Sequence, residues 1–120
     1  MLGVCALLFP ACGDESNTKK ITVDAGDPVL ENGRALFQMN CSSCHNLEKE
    51  MTGPALKGAL ARWKNDTTNV KSFIRNSSAY IKKGDPYTTA LFQKYNKTTM
   101  TPFTHLSEAD LDAIIRYIGQ

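Results

Sequence analysis

The chain has 120 residues, enough for one domain but not for two, and its 42% hydrophobic and 22% charged residues are ordinary for a globular protein. Its formal net charge at pH 7 is only +2. Lysine and arginine form no dense stripe with interleaved aromatic residues, which excludes a nucleic-acid-binding protein.

Residues 1–11 are apolar, and the run stops abruptly after Cys12. The run is too short to span a bilayer, for which about 20 apolar residues are needed, but it has the length of the apolar region of a signal peptide. Because no positively charged segment precedes it, residues 1–11 are predicted to be an atypical or truncated signal peptide.

The segment Leu8–Cys12 resembles the cleavage site of bacterial lipoproteins, where a small residue precedes a cysteine that becomes lipidated. Ala11 and Cys12 fit that pattern, although the two residues before them depart from it. We therefore expect an exported protein, held on the periplasmic side of a membrane by a lipid on Cys12. A removed secretory signal or a disordered leader is the alternative. Residues 12–26 are polar and predict a flexible tether.

The domain proper is predicted to span residues 27–120 and to be all-α, with four or so short helices, since no alternating strand pattern occurs. Asp27 is a good N-cap and Pro28 suits a first helical turn, so the first helix should run to about Asn40. The apolar face of this helix, at helical spacing, consists of Val29, Gly33, Leu36 and Phe37.

Residues 41–65 predict a loop with a short apolar turn at Leu60–Trp63. Thr68 is a candidate cap for a second helix, and Asp85-Pro86 opens a third, while Gly84 ends the segment between them. The apolar residues assigned to these helices are Val70, Phe73 and Ile74, then Leu91, Phe92 and Tyr95.

The last helix has the strongest start signal. Ser107 and Asp110 have the spacing of a capping box, with Asp in place of the usual Glu or Gln. Leu106 and Leu111 occupy the flanking staple positions. The apolar face then continues through Ile114, Ile115 and Ile118.

Residues 41–45 read C-x-x-C-H, the signature of c-type haem attachment. Cys41 and Cys44 lie on one side of a helical turn, so both sulfurs can reach the vinyl groups on one edge of a porphyrin. His45 then lies under the ring and offers a neutral imidazole nitrogen to the iron. The expected cofactor is one covalent haem c.

Other uses of these cysteines fit less well. A thiol–disulfide oxidoreductase carries its C-x-x-C in a βαβ context, which this sequence lacks. A zinc site needs a fourth ligand, and His105 is the only other histidine. A disulfide framework would scatter its cysteines, whereas the remaining two, Cys5 and Cys12, both lie in the leader.

From about residue 27 to 120, the chain resembles the class I (monohaem) cytochromes c, a few helices wrapped around one haem with the first and last helices crossing. In that family a small and an aromatic residue on the first helix meet an aromatic residue on the last, and Gly33, Phe37 and Tyr117 match this pattern. The resemblance implies a single-electron carrier rather than an enzyme. Nothing in the sequence suggests an oligomer, so we expect a monomer. Its partners would be an electron donor and an oxidase or reductase.

The second axial ligand decides between a closed site suited to electron transfer and an open site suited to ligand binding or catalysis. The candidates are Met39, Met51, Met100 and His105. Met39 lies on the attachment side and Met51 follows His45 too closely, whereas the loop 96–104 can cross the opposite face. Met100–Phe103 also resembles the family's ligand loop, which implies Met100. An open-site haem protein, either a ligand sensor or a peroxidase-like enzyme, is the alternative.

Gly53-Pro54 resembles the family's loop whose proline carbonyl accepts a hydrogen bond from the iron-binding histidine, which implies this role for Pro54; a plain turn is the alternative. Trp63 is a candidate for contact with the haem propionates. Eight lysines either ring the exposed haem edge, where they would speed docking to acidic partners, or form an ordinary solvated surface. They are Lys49, Lys57, Lys64, Lys71, Lys82, Lys83, Lys94 and Lys97.

Overall fold

A computed structural model describes residues 26–120, so the predictions for the leader, including the lipid on Cys12, lie outside the described residues. Residues 26–120 form six helices and no strand: α1 Pro28–Asn40, α2 Ala59–Arg62, α3 Thr67–Arg75, α4 Ser77–Lys82, α5 Pro86–Lys94 and α6 Glu108–Ile118. The all-α prediction is confirmed. The structure has two more helices than predicted, α2 and α4. With 4 and 6 residues, they are too short to show a periodic apolar pattern in the sequence. In this part of the chain no helix is long and apolar enough to cross a membrane.

Side-chain caps decide where the longer helices begin. The predicted caps Asp27, Asp85 and Ser107 are confirmed, and Ser107 forms the expected capping box with Asp110. The cap of α3 is Asp66, whose carboxylate accepts from the Asn69 N–H, and not Thr68 as predicted. Asp is the stronger cap residue, and its position places Thr68 inside the first turn.

The helix α4 follows α3 almost without a break. Asn76 ends α3 with an extended backbone (φ −156°, ψ 86°), and its side chain then caps α4 by accepting from the Ala79 N–H at 3.0 Å. One residue therefore serves both helices, which is why the junction shows no conventional loop signal. Gly84, with φ +85°, ends this segment as predicted.

The buried core lies where α1 crosses α6. Gly33 packs directly on the backbone of Ala113, so a Cβ at position 33 would collide with that carbonyl group. The rings of Phe37 and Tyr117 lie beside them with centroids 5.3 Å apart. The predicted contact between the two helices is confirmed, although Val29 is 44% exposed, so the buried face of α1 begins only at Gly33.

Helices α3, α4 and α5 pack on one another in chain order, and α6 contacts α1 and α2. Residues from α3, α4, α5 and α6 line one cavity, together with the loop that follows α1. The fold therefore leaves an apolar space beside the C-x-x-C-H segment.

Candidate functional site

The C-x-x-C-H residues form tight turns directly after α1. The Phe37 carbonyl accepts from the N–H groups of Cys41 (2.8 Å) and Ser42 (3.0 Å), and the Cys41 carbonyl accepts from Cys44 (3.2 Å) and His45 (2.9 Å). These backbone hydrogen bonds hold the two thiols and the imidazole together, and all three line the same cavity.

The two cysteines of this segment are free thiols, Cys41 half-buried and Cys44 exposed. Burial, and secondarily the neighbouring Cys44, raises the pKa of Cys41 to about 11. A redox-active C-x-x-C pair needs a lowered thiol pKa, so this environment disfavours a thiol oxidoreductase.

Within residues 26–120 no three His, Cys, Asp or Glu side chains are placed to hold a metal ion, so a structural zinc site lacks its ligand set there.

His45 is buried, and its Nδ1 lies 2.9 Å from the carbonyl oxygen of Pro54. With the hydrogen on Nδ1 donated to this carbonyl, Nε2 keeps a free lone pair for a metal ion. Gly53 makes this arrangement possible, because a Cβ at position 53 would collide with the imidazole ring. Gly53 was not among the predicted site residues, since a Gly-Pro pair signals a tight turn but not a neighbouring histidine.

The cavity beside His45 is apolar. None of the described residues that line it is Asp, Glu, Lys or Arg. Its apolar walls are formed by Leu56, Val70, Phe73, Ile74, Leu91, Phe92, Ile114 and Ile118. A covalent haem c requires two sulfurs for its vinyl groups, a nitrogen for its iron and apolar surface for the porphyrin faces. The residues present fit that group.

Among the four candidates for a second axial ligand, Met100 lines this cavity and the others do not. Met39 is 81% exposed and Met51 is 49% exposed. His105 is also exposed, and its Nε2 lies 3.3 Å from Asn40 Oδ1. The structure therefore brings together Cys41, Cys44, His45, Pro54 and Met100.

Glu50 connects the loop after His45 to the segment before Met100. Its Oε1 accepts from the Tyr95 hydroxyl at 2.8 Å and from Lys94 Nζ at 3.0 Å. Both hydrogen bonds lower the pKa of Glu50, and the one from Tyr95 has the larger effect. The pKa of Tyr95 is raised, mainly because the ring is partly buried and secondarily because its hydroxyl donates to Glu50. Tyr95 also lines the cavity, so a charged Glu50 holds one of its walls in place.

Trp63 lines the cavity within an aromatic cluster, with ring centroids 5.3 Å from Phe73, 5.7 Å from Tyr80 and 5.5 Å from Tyr87. Its contact with haem propionates stays a prediction. None of the eight lysines lines the cavity. Three of them are paired with carboxylates and so contribute less free positive charge: Lys57 with Glu48, Lys94 with Glu50, and Lys71 with Glu108 and Asp112.

Comparison with known proteins agrees with this geometry. The profile of the cytochrome c family matches residues 30–120. The chain is similar to the cytochrome c from Rhodothermus marinus, with 30% identity and a TM-score of 0.66 over 75% of this chain and 73% of that one. An engineered form of that protein, bound to a carbene intermediate, gives 28% identity and a TM-score of 0.61 over 75% and 73%.

A third similar structure is the cytochrome c domain of the pp3183 protein from Pseudomonas putida, with 26% identity and a TM-score of 0.57 over 72% of this chain and 83% of that one. The comparison with curated proteins gave no match.

The family implies covalently bound haem c and haem-based electron transfer. The family profile covers all the helices except the first residues of α1, and the C-x-x-C-H segment lies within it. The chain therefore belongs to the cytochrome c family.

Proposed function

We propose that this protein is a single-electron carrier with one haem c, bonded through Cys41 and Cys44 and held at the iron by His45 and Met100. The observation that carries the proposal is that His45 and Met100 line one apolar cavity. When bound, the haem supplies a one-electron ferric/ferrous couple. With His45 and Met100 both bound to the iron, no position would be left for a substrate, which would favour electron transfer over catalysis.

Each of these residues has a separate task. The two cysteine sulfurs keep the haem from being lost. The Pro54 carbonyl orients the His45 ring and raises the basicity of its Nε2. The Met100 thioether is a soft ligand that favours ferrous iron, so we expect a higher reduction potential than a second histidine would produce.

We infer from the leader that the carrier is exported and works on the periplasmic side of a membrane. The Leu8–Cys12 pattern supports a lipid on Cys12, and the polar residues 12–26 would then serve as a tether. The protein would act as a monomer, taking an electron from a donor protein and passing it to an oxidase or reductase. Nothing is chemically transformed in this role, so we propose no enzymatic activity.

A second candidate is an open-site haem protein, a ligand sensor or a peroxidase-like enzyme. The engineered Rhodothermus marinus cytochrome c that is bound to a carbene intermediate supports it, because a related chain can hold a small ligand.

Optical spectra of the ferric and ferrous holoprotein, before and after addition of carbon monoxide, distinguish the two candidates. The electron-carrier proposal predicts a near-infrared band from methionine sulfur to ferric iron and no response of the ferrous form to carbon monoxide. Met100→Leu should lose the band and bind carbon monoxide, while Met51→Leu, the matched control, should behave as wild type. A wild type without the band that binds carbon monoxide readily would support the open site.

A further inference from the structure

The loop that carries Met100 is held against the junction between α3 and α4. The Phe103 N–H donates to the Arg75 carbonyl at 3.1 Å, and the Ser77 hydroxyl donates to the Met100 carbonyl at 3.5 Å. The two hydrogen bonds lie on either side of Pro102, whose ring restricts its own backbone and that of the preceding residue. Both ends of the segment Met100–Phe103 are therefore attached to the same two-helix junction.

Ser77 is the side chain of this junction that faces the cavity. It is only 1% exposed. A buried hydroxyl is unfavourable unless it is hydrogen-bonded, and the Met100 carbonyl is the acceptor that the structure gives it. The start of α4 does not need this hydroxyl, because Asn76 already caps the helix. The Ser77 hydroxyl thus stabilises the loop rather than its own helix.

We propose that Ser77 is a positioning residue for the second axial ligand: its hydroxyl holds the Met100 backbone so that the thioether remains at the iron. This inference rests on the Met100 ligation proposed above. When Met100 leaves the iron and its loop moves away, the hydrogen bond is lost, so the bond favours the closed state over the open one. At 3.5 Å this hydrogen bond is long, so we expect it to change the equilibrium by about two- to threefold, the lower end of the typical range.

The test is the dissociation constant for cyanide of the ferric holoprotein, followed by loss of the sulfur–iron band. Cyanide takes the position of Met100, so its apparent affinity rises in proportion to the population of the open state. Ser77→Ala should bind cyanide about two- to threefold more tightly than wild type. The matched control Ser78→Ala, which removes a hydroxyl from the next residue of α4, should bind it as wild type does. Ser77→Thr keeps the hydroxyl and should also resemble wild type.

Three outcomes would overturn the proposal. In the first, Ser77→Ala binds cyanide as wild type does. In the second, Ser78→Ala shifts as far as Ser77→Ala, so that the effect comes from the stability of α4. In the third, Ser77→Thr shifts as far as Ser77→Ala, so that the hydroxyl is not the cause. If Ser77→Ala folds poorly, a shift of Ser77→Thr away from wild type contradicts the proposal by itself. A wild type without the sulfur–iron band contradicts Met100 ligation itself, whereas a wild type with the band and an unchanged Ser77→Ala contradicts only the role of Ser77.

Discussion

A single backbone carbonyl sets the chemistry available to His45. The Nδ1 to Pro54 oxygen distance of 2.9 Å makes Nδ1 the donor and leaves Nε2 with a free lone pair, as the proposed iron ligation requires. Gly53 is the residue that permits this, since the ring lies where a side chain at position 53 would otherwise be. The imidazole of His45 is therefore positioned by a residue with no functional group of its own.

Gly53→Ala should displace the His45 ring, because the new Cβ meets the ring atoms directly, within 2.9 Å of Nδ1 and 3.0 Å of Nε2. Overpacking of this kind typically costs about 1–3 kcal/mol. We expect the haem to stay covalently attached, as judged by haem staining on a denaturing gel, while the guanidinium unfolding midpoint falls and the ferric spectrum changes. Gly26→Ala is the control, since its Cβ would lie 3.9 Å from the nearest atom. An unchanged spectrum and midpoint would mean that the loop moves aside freely.

At the scale of the helices, α1 and α6 form the frame and the shorter helices line the cavity. The frame depends on close approach at Gly33, where the backbone of Ala113 occupies the space of a side chain. The cavity wall depends instead on links between distant segments, among them Glu50 with Tyr95. Frame and wall should therefore respond to different substitutions.

Gly33→Ala should destabilise the protein. Alanine is better than glycine in a helix by about 1 kcal/mol, but the collision is with a backbone carbonyl that cannot rotate away. We expect the collision to dominate and the free energy of unfolding to fall by about 1–3 kcal/mol. Asn32→Ala, at an exposed neighbouring position of α1, should change it by no more than about 0.5 kcal/mol. Guanidinium unfolding of the holoprotein measures the free energy of unfolding of both variants. A more stable Gly33→Ala would show that α1 and α6 can move apart slightly without loss of stability.

Glu50→Gln should lower stability at neutral pH and have little effect in acid. The folded-state pKa of Glu50 is lowered from 4.5, first by Tyr95 and then by Lys94. The stabilisation is therefore complete above the unfolded value of about 4.5 and is lost as the pH falls through the lowered value. Thermal midpoints of wild type and Glu50→Gln, compared between pH 7 and pH 3, should converge on acidification, with Glu31→Gln as an exposed control. A difference that is independent of pH would show that the carboxylate charge is not what matters.

At the scale of the whole molecule, the buried core of the described residues is small. Its main cluster has five members, Phe37, Leu106, Leu111, Ile114 and Ile118. Most apolar residues of α3, α4 and α5 face the cavity instead. Side chains that line an empty cavity have no partner atoms on that side and lose dispersion contacts there. A bound haem should supply these contacts and so act as part of the core.

The double variant Cys41→Ser and Cys44→Ser should fold poorly, because it cannot attach haem and leaves the cavity walls without contacts. We expect weaker helical circular dichroism and a broad unfolding transition at lower guanidinium concentration. Ser42→Ala with Ser43→Ala, exposed positions of the same turns, should attach haem and keep a cooperative transition, losing the hydrogen bond from Ser42 to the Gln38 carbonyl. An equally cooperative transition in the cysteine variant would show that the helices form a sufficient core alone.

Features that depend on neighbours in the chain were predictable from local patterns. The caps Asp27, Asp85 and Ser107 bond to backbone groups two or three residues away, so residue type and position were sufficient to place them. The same holds for the C-x-x-C-H segment, whose residues meet within one turn. Where two neighbours compete for one cap, as Asp66 and Thr68 do before α3, the pattern alone named the wrong one.

Only the tertiary structure decided which distant residues meet. It placed Met100, which the family resemblance had already implied, on the cavity with His45, and left Met39 and Met51 off it. It also joined Glu50 to Tyr95 across 45 residues and put Gly53 against the imidazole ring. Such contacts depend on how all the helices pack together, and no interaction within a single turn encodes that packing.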